Sequence, residues 1–82
     1  KYQEGLYTDI RAFISKIIDQ SRIEGLEFVD VVSGEIHKKM KLSNKMPSVC
    51  SAMYALMKEN DVILHMTPSG KSSTIKIRYF LT

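Results

Sequence analysis

The chain has 82 residues, enough for one small domain over residues 1–82. Its 44% hydrophobic and 26% charged residues exclude a disordered tail, and no apolar run reaches the about 20 residues of a membrane span. The net charge of +3 is uneven, because residues 1–36 hold four Lys/Arg and seven Asp/Glu, whereas residues 37–82 hold eight Lys/Arg and two Asp/Glu. The basic half favours a polyanionic partner.

The first predicted helix covers residues 7–23. Thr8 is its expected N-cap, and Gly25 is expected to stop it. Its apolar residues recur with the spacing of one helical face, which we predict to be core. They are Ile10, Phe13, Ile14, Ile17 and Ile18.

A short strand is predicted over residues 28–32, because this segment is rich in β-branched residues. Ser33 is the expected cap of a second helix over residues 34–41. In that helix Ile36 and Met40 fall on one face and are predicted to point inward.

A turn at residues 42–44 separates this helix from a third one, predicted over residues 46–59. Pro47 suits its first turn, and Asn60 with Asp61 is expected to end it. The predicted apolar face consists of Val49, Met53, Leu56 and Met57. Methionine at this spacing is typical of a core.

The C-terminal part predicts a β-hairpin with strands over residues 61–66 and 74–81. In the second strand the apolar residues alternate with others, as in a half-buried strand; they are Ile75, Ile77, Tyr79 and Leu81. The polar loop of residues 67–73 is longer than a tight turn requires.

This order of elements resembles the winged helix-turn-helix domain, and the resemblance covers about residues 6–82. Its most specific part is residues 42–56 (LSNKMPSVCSAMYAL), similar to a bacterial pattern in which a turn serine precedes a Thr/Ser-Val-Ser-x-Ala-Leu-x-x-Leu recognition helix. The matching residues are Ser48, Val49, Cys50, Ala52, Met53 and Leu56. The spacing between Ser43 and Val49 is longer than in that pattern. The resemblance implies an α+β fold: three helices, a short strand after the first helix, and a C-terminal hairpin wing.

The resemblance also implies binding of double-stranded DNA, with the third helix in the major groove and the wing on the backbone or in the minor groove. The residues expected at the groove are Lys45, Ser48, Ser51 and Tyr54. Those expected at phosphates are Lys38, Lys39, Lys41 and Lys71, with Asn44 and Ser72 completing the interface. Lys76 and Arg78 add two charges on the outward face of the last strand. The same residue types also suit an ordinary solvated surface.

No motif indicates catalysis, a cofactor or a metal. The PSGKS segment lacks the first glycine of a phosphate-binding loop, because His65 stands at that position, and a strand follows it. His37, His65 and Cys50 lack metal-ligand spacing, and Cys50 is expected to be a small buried apolar residue. We therefore predict a protein that is not an enzyme.

The sequence favours a cytoplasmic bacterial DNA-binding domain, in transcription regulation or in a restriction or mobile-element system. We expect the domain to bind double-stranded DNA. We also expect it to form a homodimer or to contact a larger protein, and not to bind a membrane. The alternative is a winged-helix module for protein–protein contacts within a larger assembly, or one appended to a nuclease. Since the chain begins with lysine, we expect a trimmed protein or an excised domain.

Overall fold

The computed structural model describes the backbone of residues 2–81 and the side chains of residues 5–81. Within this range the chain forms three helices and a three-stranded antiparallel sheet, which confirms the predicted α+β class. In chain order the elements are α1 (Tyr2–Ile23), β1 (Phe28–Val32), α2 (Ser33–Lys39), α3 (Met46–Ala55), β2 (Val62–His65) and β3 (Lys76–Phe80). The bounds predicted for β1 are confirmed, and each of the other elements differs from prediction at one end or at both.

The start of α1 differs most from the prediction. The helix begins at Tyr2, so the assignment of Thr8 as its N-cap is wrong, and Thr8 is an exposed residue inside the helix. The helix extends towards the N-terminus because Leu6 and Tyr7 also pack against the core. The apolar face is therefore longer than the predicted one.

The end of α1 is the predicted one. Gly25 adopts a φ of +84°, which favours glycine. The N–H groups of Gly25 and Leu26 donate to the carbonyls of Arg22 and Ser21 at 3.0 and 3.1 Å. This pair of bonds is a Schellman motif, which satisfies carbonyls that the end of the helix leaves free.

The start of α2 does not have the predicted serine cap. Val32 occupies the N-cap position, and Ser33 is the first helical residue. The Ser33 hydroxyl is buried and donates to the carbonyl of Ser72, in the β2–β3 loop (residues 66–75). The serine therefore fastens this loop to the helix.

The third helix is shorter than predicted, because it ends at Ala55 rather than at residue 59. The Asp61 carboxylate accepts hydrogen bonds from the N–H groups of Lys58 and Phe80, both at 2.8 Å. The segment after α3 is therefore a turn tied to β3, which the helical pattern alone does not indicate.

The sheet has the strand order β1-β3-β2, so β3 lies in the centre. Ile77 of β3 pairs with Val31 of β1 and with Ile63 of β2, and it is fully buried. Arg78, the next residue, pairs with Asp30 and lies on the outer face. The predicted alternation along the last strand is thus confirmed.

Both hairpin strands are shorter than predicted. Ile75 and Leu81 are buried as predicted, but they lie just outside β3. The carbonyl of Ile75 accepts from the N–H of Ser33, and the N–H of Leu81 donates to the carbonyl of Glu27. These bonds connect the ends of β3 to the starts of α2 and β1.

The core lies between the helices and the inner face of the sheet. Its apolar cluster consists of Ile10, Ile14, Val31, Ile36, Val49, Cys50, Ala52, Met53, Ile75, Ile77 and Tyr79. Phe13, Ile17 and Ile18, also predicted as core, are half-buried at its edge. The Tyr79 hydroxyl donates to the Met53 carbonyl at 2.7 Å, and burial raises the pKa of Tyr79. This bond fixes α3 against the sheet and directs the opposite side of the helix to solvent.

Candidate nucleic-acid interface

The two faces of α3 follow the predicted helical phase. Val49 and Met53 are fully buried against the core, whereas Ser51 is exposed. Lys45, at the N-cap position, is also exposed, and Ser48 in the first turn is half-buried. Small polar side chains on this outer face allow a close approach of another molecule to the helix backbone.

The first turn of α3 is open to an anion. It contains Pro47, as predicted, and no acidic residue, and no side chain caps it. The N-terminal end of a helix carries a partial positive charge, which favours negatively charged groups. Lys45 adds a full charge at the same end.

The turn between α2 and α3 carries the predicted lysine cluster on an irregular backbone. Lys41 and Asn44 adopt φ values of +56° and +55°. Asparagine tolerates this left-handed conformation well, but lysine adopts it less often. The ring Nε2 atom of His37 accepts a hydrogen bond from the N–H of Lys45 at 3.2 Å, which closes the turn. Lys41, Asn44 and Lys45 are all exposed.

Lys38 and Lys39 lie in the last turn of α2, and both are exposed. A cation in this position also stabilises the helix, because the C-terminal end of the dipole is negative. These two lysines therefore have a structural role even without a ligand. Neither lysine forms an ion pair within residues 5–81, where the ion pairs join Arg22 with Asp19 and Arg78 with Asp30.

The β2–β3 loop lies against the start of α2 and the middle of α3 rather than projecting freely. The N–H of Gly34 donates to the Ser73 carbonyl at 2.9 Å. The Ser72 carbonyl accepts from the Ser33 hydroxyl, and the Cys50 thiol lies 3.5 Å from the same oxygen. Burial raises the pKa of the Cys50 thiol, which acts here as a packed, weakly donating group.

Tyr54 contacts the same loop from the other end of α3. Its hydroxyl donates to the Gly70 carbonyl at 2.6 Å and lies 3.5 Å from the sulfur of Met66. Loss of solvent raises the pKa of Tyr54. Lys71 is exposed between these anchored segments, and the half-buried Ser72 shares a hydrogen bond of 3.2 Å between its Oγ atom and Oγ1 of Thr74.

Arg78 lies on the outward face of the last strand, as predicted, but there it forms an ion pair with Asp30. Its guanidinium donates to both carboxylate oxygens of Asp30, at 2.8 and 3.1 Å, and lies 4.0 Å from the ring centroid of Phe28. Because the guanidinium donates these hydrogen bonds, the pKa of Asp30 is lowered. The ion pair with Asp30 offsets the charge of Arg78 on the outer face of the sheet. Lys76, two residues earlier on the same face, forms no ion pair with Asp30, although its charge also lowers the pKa of that carboxyl.

The predicted residues thus form two groups, joined by α3. The turn group contains Lys38, Lys39, Lys41, Asn44 and Lys45, and the loop group contains Tyr54, Lys71 and Ser72. The sequence analysis did not predict that Ser33 and Gly34 hold the β2–β3 loop through hydrogen bonds to Ser72 and Ser73. The glycine near the start of a helix was the available signal, since glycine disfavours helices and often marks a close backbone approach.

No protein-family model matches the chain, and no curated protein or solved structure is significantly similar to it. Among the described residues, no three His, Cys, Asp or Glu side chains are grouped as metal ligands would be. No helix within the same residues has the length and apolarity needed to cross a membrane.

Proposed function

We propose that the chain is a winged helix-turn-helix domain that binds double-stranded DNA. In this proposal α3 enters the major groove and the β2–β3 loop is the wing. The order of the elements supports the fold, since a helix, a strand, two helices separated by a turn, and a hairpin follow one another. The setting we favour is bacterial transcription regulation or a restriction or mobile-element system.

One observation carries the functional part of the proposal. α3, with its exposed Ser51 and its uncapped first turn, follows the lysine-bearing turn and contacts the loop that carries Lys71. The hydrogen bond from the Lys45 N–H to the His37 ring closes the turn that carries the turn group. The Ser33 hydroxyl donates to the Ser72 carbonyl and so holds the loop that carries Lys71. Cations that bind phosphates next to a helix position that helix in the major groove, where it contacts the bases.

The first test is a titration of duplex binding at several salt concentrations, by fluorescence anisotropy with a random-sequence duplex. A few phosphate contacts predict a linear fall of log K against log salt, of about 0.9 per contact, and a Kd in the micromolar range or weaker. An absence of binding at low salt would contradict the proposal.

The second test separates α3 from the general charge of the domain. Ser51→Glu places a carboxylate on the exposed face of α3, where it repels phosphates, and we expect it to abolish binding. Thr8→Glu is the matched control, because it introduces the same charge on an exposed position of α1. Both variants should melt like the wild type, since such surface changes stay within about 0.5 kcal/mol. Equal loss of binding in both would show that α3 is not the reading element.

A second candidate function, a module for protein–protein contacts, has its own supporting observation. Phe28 and Phe80 form an edge-to-face pair with ring centroids 6.2 Å apart on the outer face of the sheet, and each remains 37% exposed. The edge strand β2 adds a row of exposed apolar side chains: Val62, Ile63 and Leu64. Exposed apolar surface of this kind often marks an interface.

The two functions predict different results for one variant. Phe80→Lys should leave duplex binding intact if α3 and the loop are the interface. If the sheet is the interface, Phe80→Lys should abolish concentration-dependent self-association, measured by sedimentation. A wild-type domain that self-associates but binds no duplex at low salt would favour the second function.

A further inference from the structure

Lys71 is held between two carbonyl groups that are bonded to helices. On its N-terminal side the Gly70 carbonyl accepts from the Tyr54 hydroxyl at 2.6 Å. On its C-terminal side the Ser72 carbonyl accepts from the Ser33 hydroxyl. The backbone of the only lysine in the loop is therefore fixed at both neighbours, although its side chain is exposed.

The hydroxyl of Tyr54 is directed at the loop rather than at solvent. A Cβ atom built on Gly70 would lie 3.6 Å from that hydroxyl and 3.7 Å from the Met66 sulfur, so Tyr54 and Met66 together cover the glycine. Gly70 also adopts a φ of +69°, a conformation that the loop needs for this approach. The single proton of this hydroxyl is already donated to the Gly70 carbonyl, so it has none to donate to a nucleic acid.

Lys71 lies beside α3, because the carbonyls of its two neighbours, Gly70 and Ser72, contact Tyr54 and Cys50 of that helix. Its ammonium opposes the effect of burial on the Cys50 thiol, whose pKa is nevertheless raised. The exposed side chain of Lys71 therefore extends from a segment that is packed against α3.

We propose that Tyr54 is a positioning residue that acts through Lys71. By holding the β2–β3 loop against α3, it orders the backbone of Lys71 before DNA arrives, so that the ammonium and α3 meet one duplex together. This inference rests on the proposed function. It assigns to Tyr54 an indirect role, in place of the direct groove contact that the sequence predicted.

The first measurement needs no DNA. Tyr54→Phe removes the hydroxyl and keeps the ring, and we expect the heteronuclear NOE values of the Gly70 and Lys71 amides to fall. Tyr7→Phe, on α1, is the matched control and should leave these values unchanged. Unchanged loop dynamics in a folded Tyr54→Phe protein would overturn the inference.

The second measurement is a double-mutant cycle in duplex binding. Loss of a pre-ordered cation predicts a binding loss of about 3- to 10-fold for Tyr54→Phe in the wild-type background. In the Lys71→Ala background the same substitution should have almost no effect. An equal loss in both backgrounds would mean that Tyr54 contacts DNA directly, which overturns the inference but leaves the proposed function standing.

A wild-type domain that binds no duplex contradicts the proposed function and removes the role of Lys71 with it. If Tyr54→Phe does not fold, Gly70→Ala serves as the second variant, because alanine is strained at the φ of +69° that residue 70 adopts where its carbonyl meets Tyr54. Gly70→Ala should reproduce both the loosened loop and the loss of binding, and a wild-type result in either measurement would overturn the inference.

Discussion

The close approach of the β2–β3 loop to α2 predicts that Gly34→Ala destabilises the domain. A Cβ atom on residue 34 would lie 2.7 Å from the carbonyl oxygen of Ser73 and 3.1 Å from the Cβ atom of Ser73. Ordinary contact begins at 3.4 Å, so the loop backbone must move by more than half an ångström. The same oxygen accepts the N–H of Gly34 at 2.9 Å, and the movement weakens that bond as well.

The expected cost is the balance of three effects. Overpacking against a backbone costs about 1–3 kcal/mol, and a weakened hydrogen bond costs up to about 1 kcal/mol. Alanine offsets part of this, because it favours a helix over glycine by up to about 1 kcal/mol in a helix interior and by less at its start. We expect a net loss of about 2 kcal/mol, which lowers the Tm of a domain of this size by about 10 °C.

Thermal melts followed by circular dichroism measure this loss, and Gly5→Ala is the matched control. A Cβ atom on Gly5 meets nothing within 4 Å, and this glycine also lies in a helix. Gly5→Ala should therefore raise the stability by up to about 1 kcal/mol. If Gly34→Ala is as stable as Gly5→Ala, the loop yields freely and the docking of the loop on α2 is wrong.

Two further predictions concern the sheet. Tyr79→Phe leaves the Met53 carbonyl without its buried donor, so urea unfolding should show a loss of about 1–2 kcal/mol, and an unchanged midpoint would contradict this bond. Asp30→Asn should lower the urea midpoint at neutral pH, because the pKa of Asp30 lies below its ordinary 3.8 in the folded state and its ionised form stabilises the fold. The difference from the wild type should disappear as the pH falls through that lowered pKa, and a constant difference would refute the ion pair.

The parts of the fold that the sequence predicted depend on local patterns. Helical spacing placed Ile10 and Ile14 in the core, and alternation placed Ile77 and Tyr79 there, since each pattern reports which face of its element is apolar. The half-buried state of Ile17 was not predictable in this way, because it depends on how much of α1 the rest of the domain covers.

The ends of elements and the seating of the loop were not predictable, because contacts distant in sequence determine them. Asp61 ends the segment after α3 by bonding to Phe80, nineteen residues later. Ser33 bonds to Ser72, thirty-nine residues later, and so does not cap its own helix. For the candidate site, the exposure of Ser51 followed from helical phase, whereas the turning of the Tyr54 hydroxyl to the loop did not.

The early end of α3 limits how much DNA sequence a single domain reads in the proposed binding mode. Ten residues at about 1.5 Å each give a rod of about 15 Å, which faces about four base pairs at about 3.4 Å each. A given sequence of four base pairs recurs thousands of times in a genome of about 10⁶ base pairs or more. In this mode, recognition of one genomic site requires a second DNA-binding domain at a fixed distance, so the spacing between two half-sites adds to the specificity that one α3 supplies.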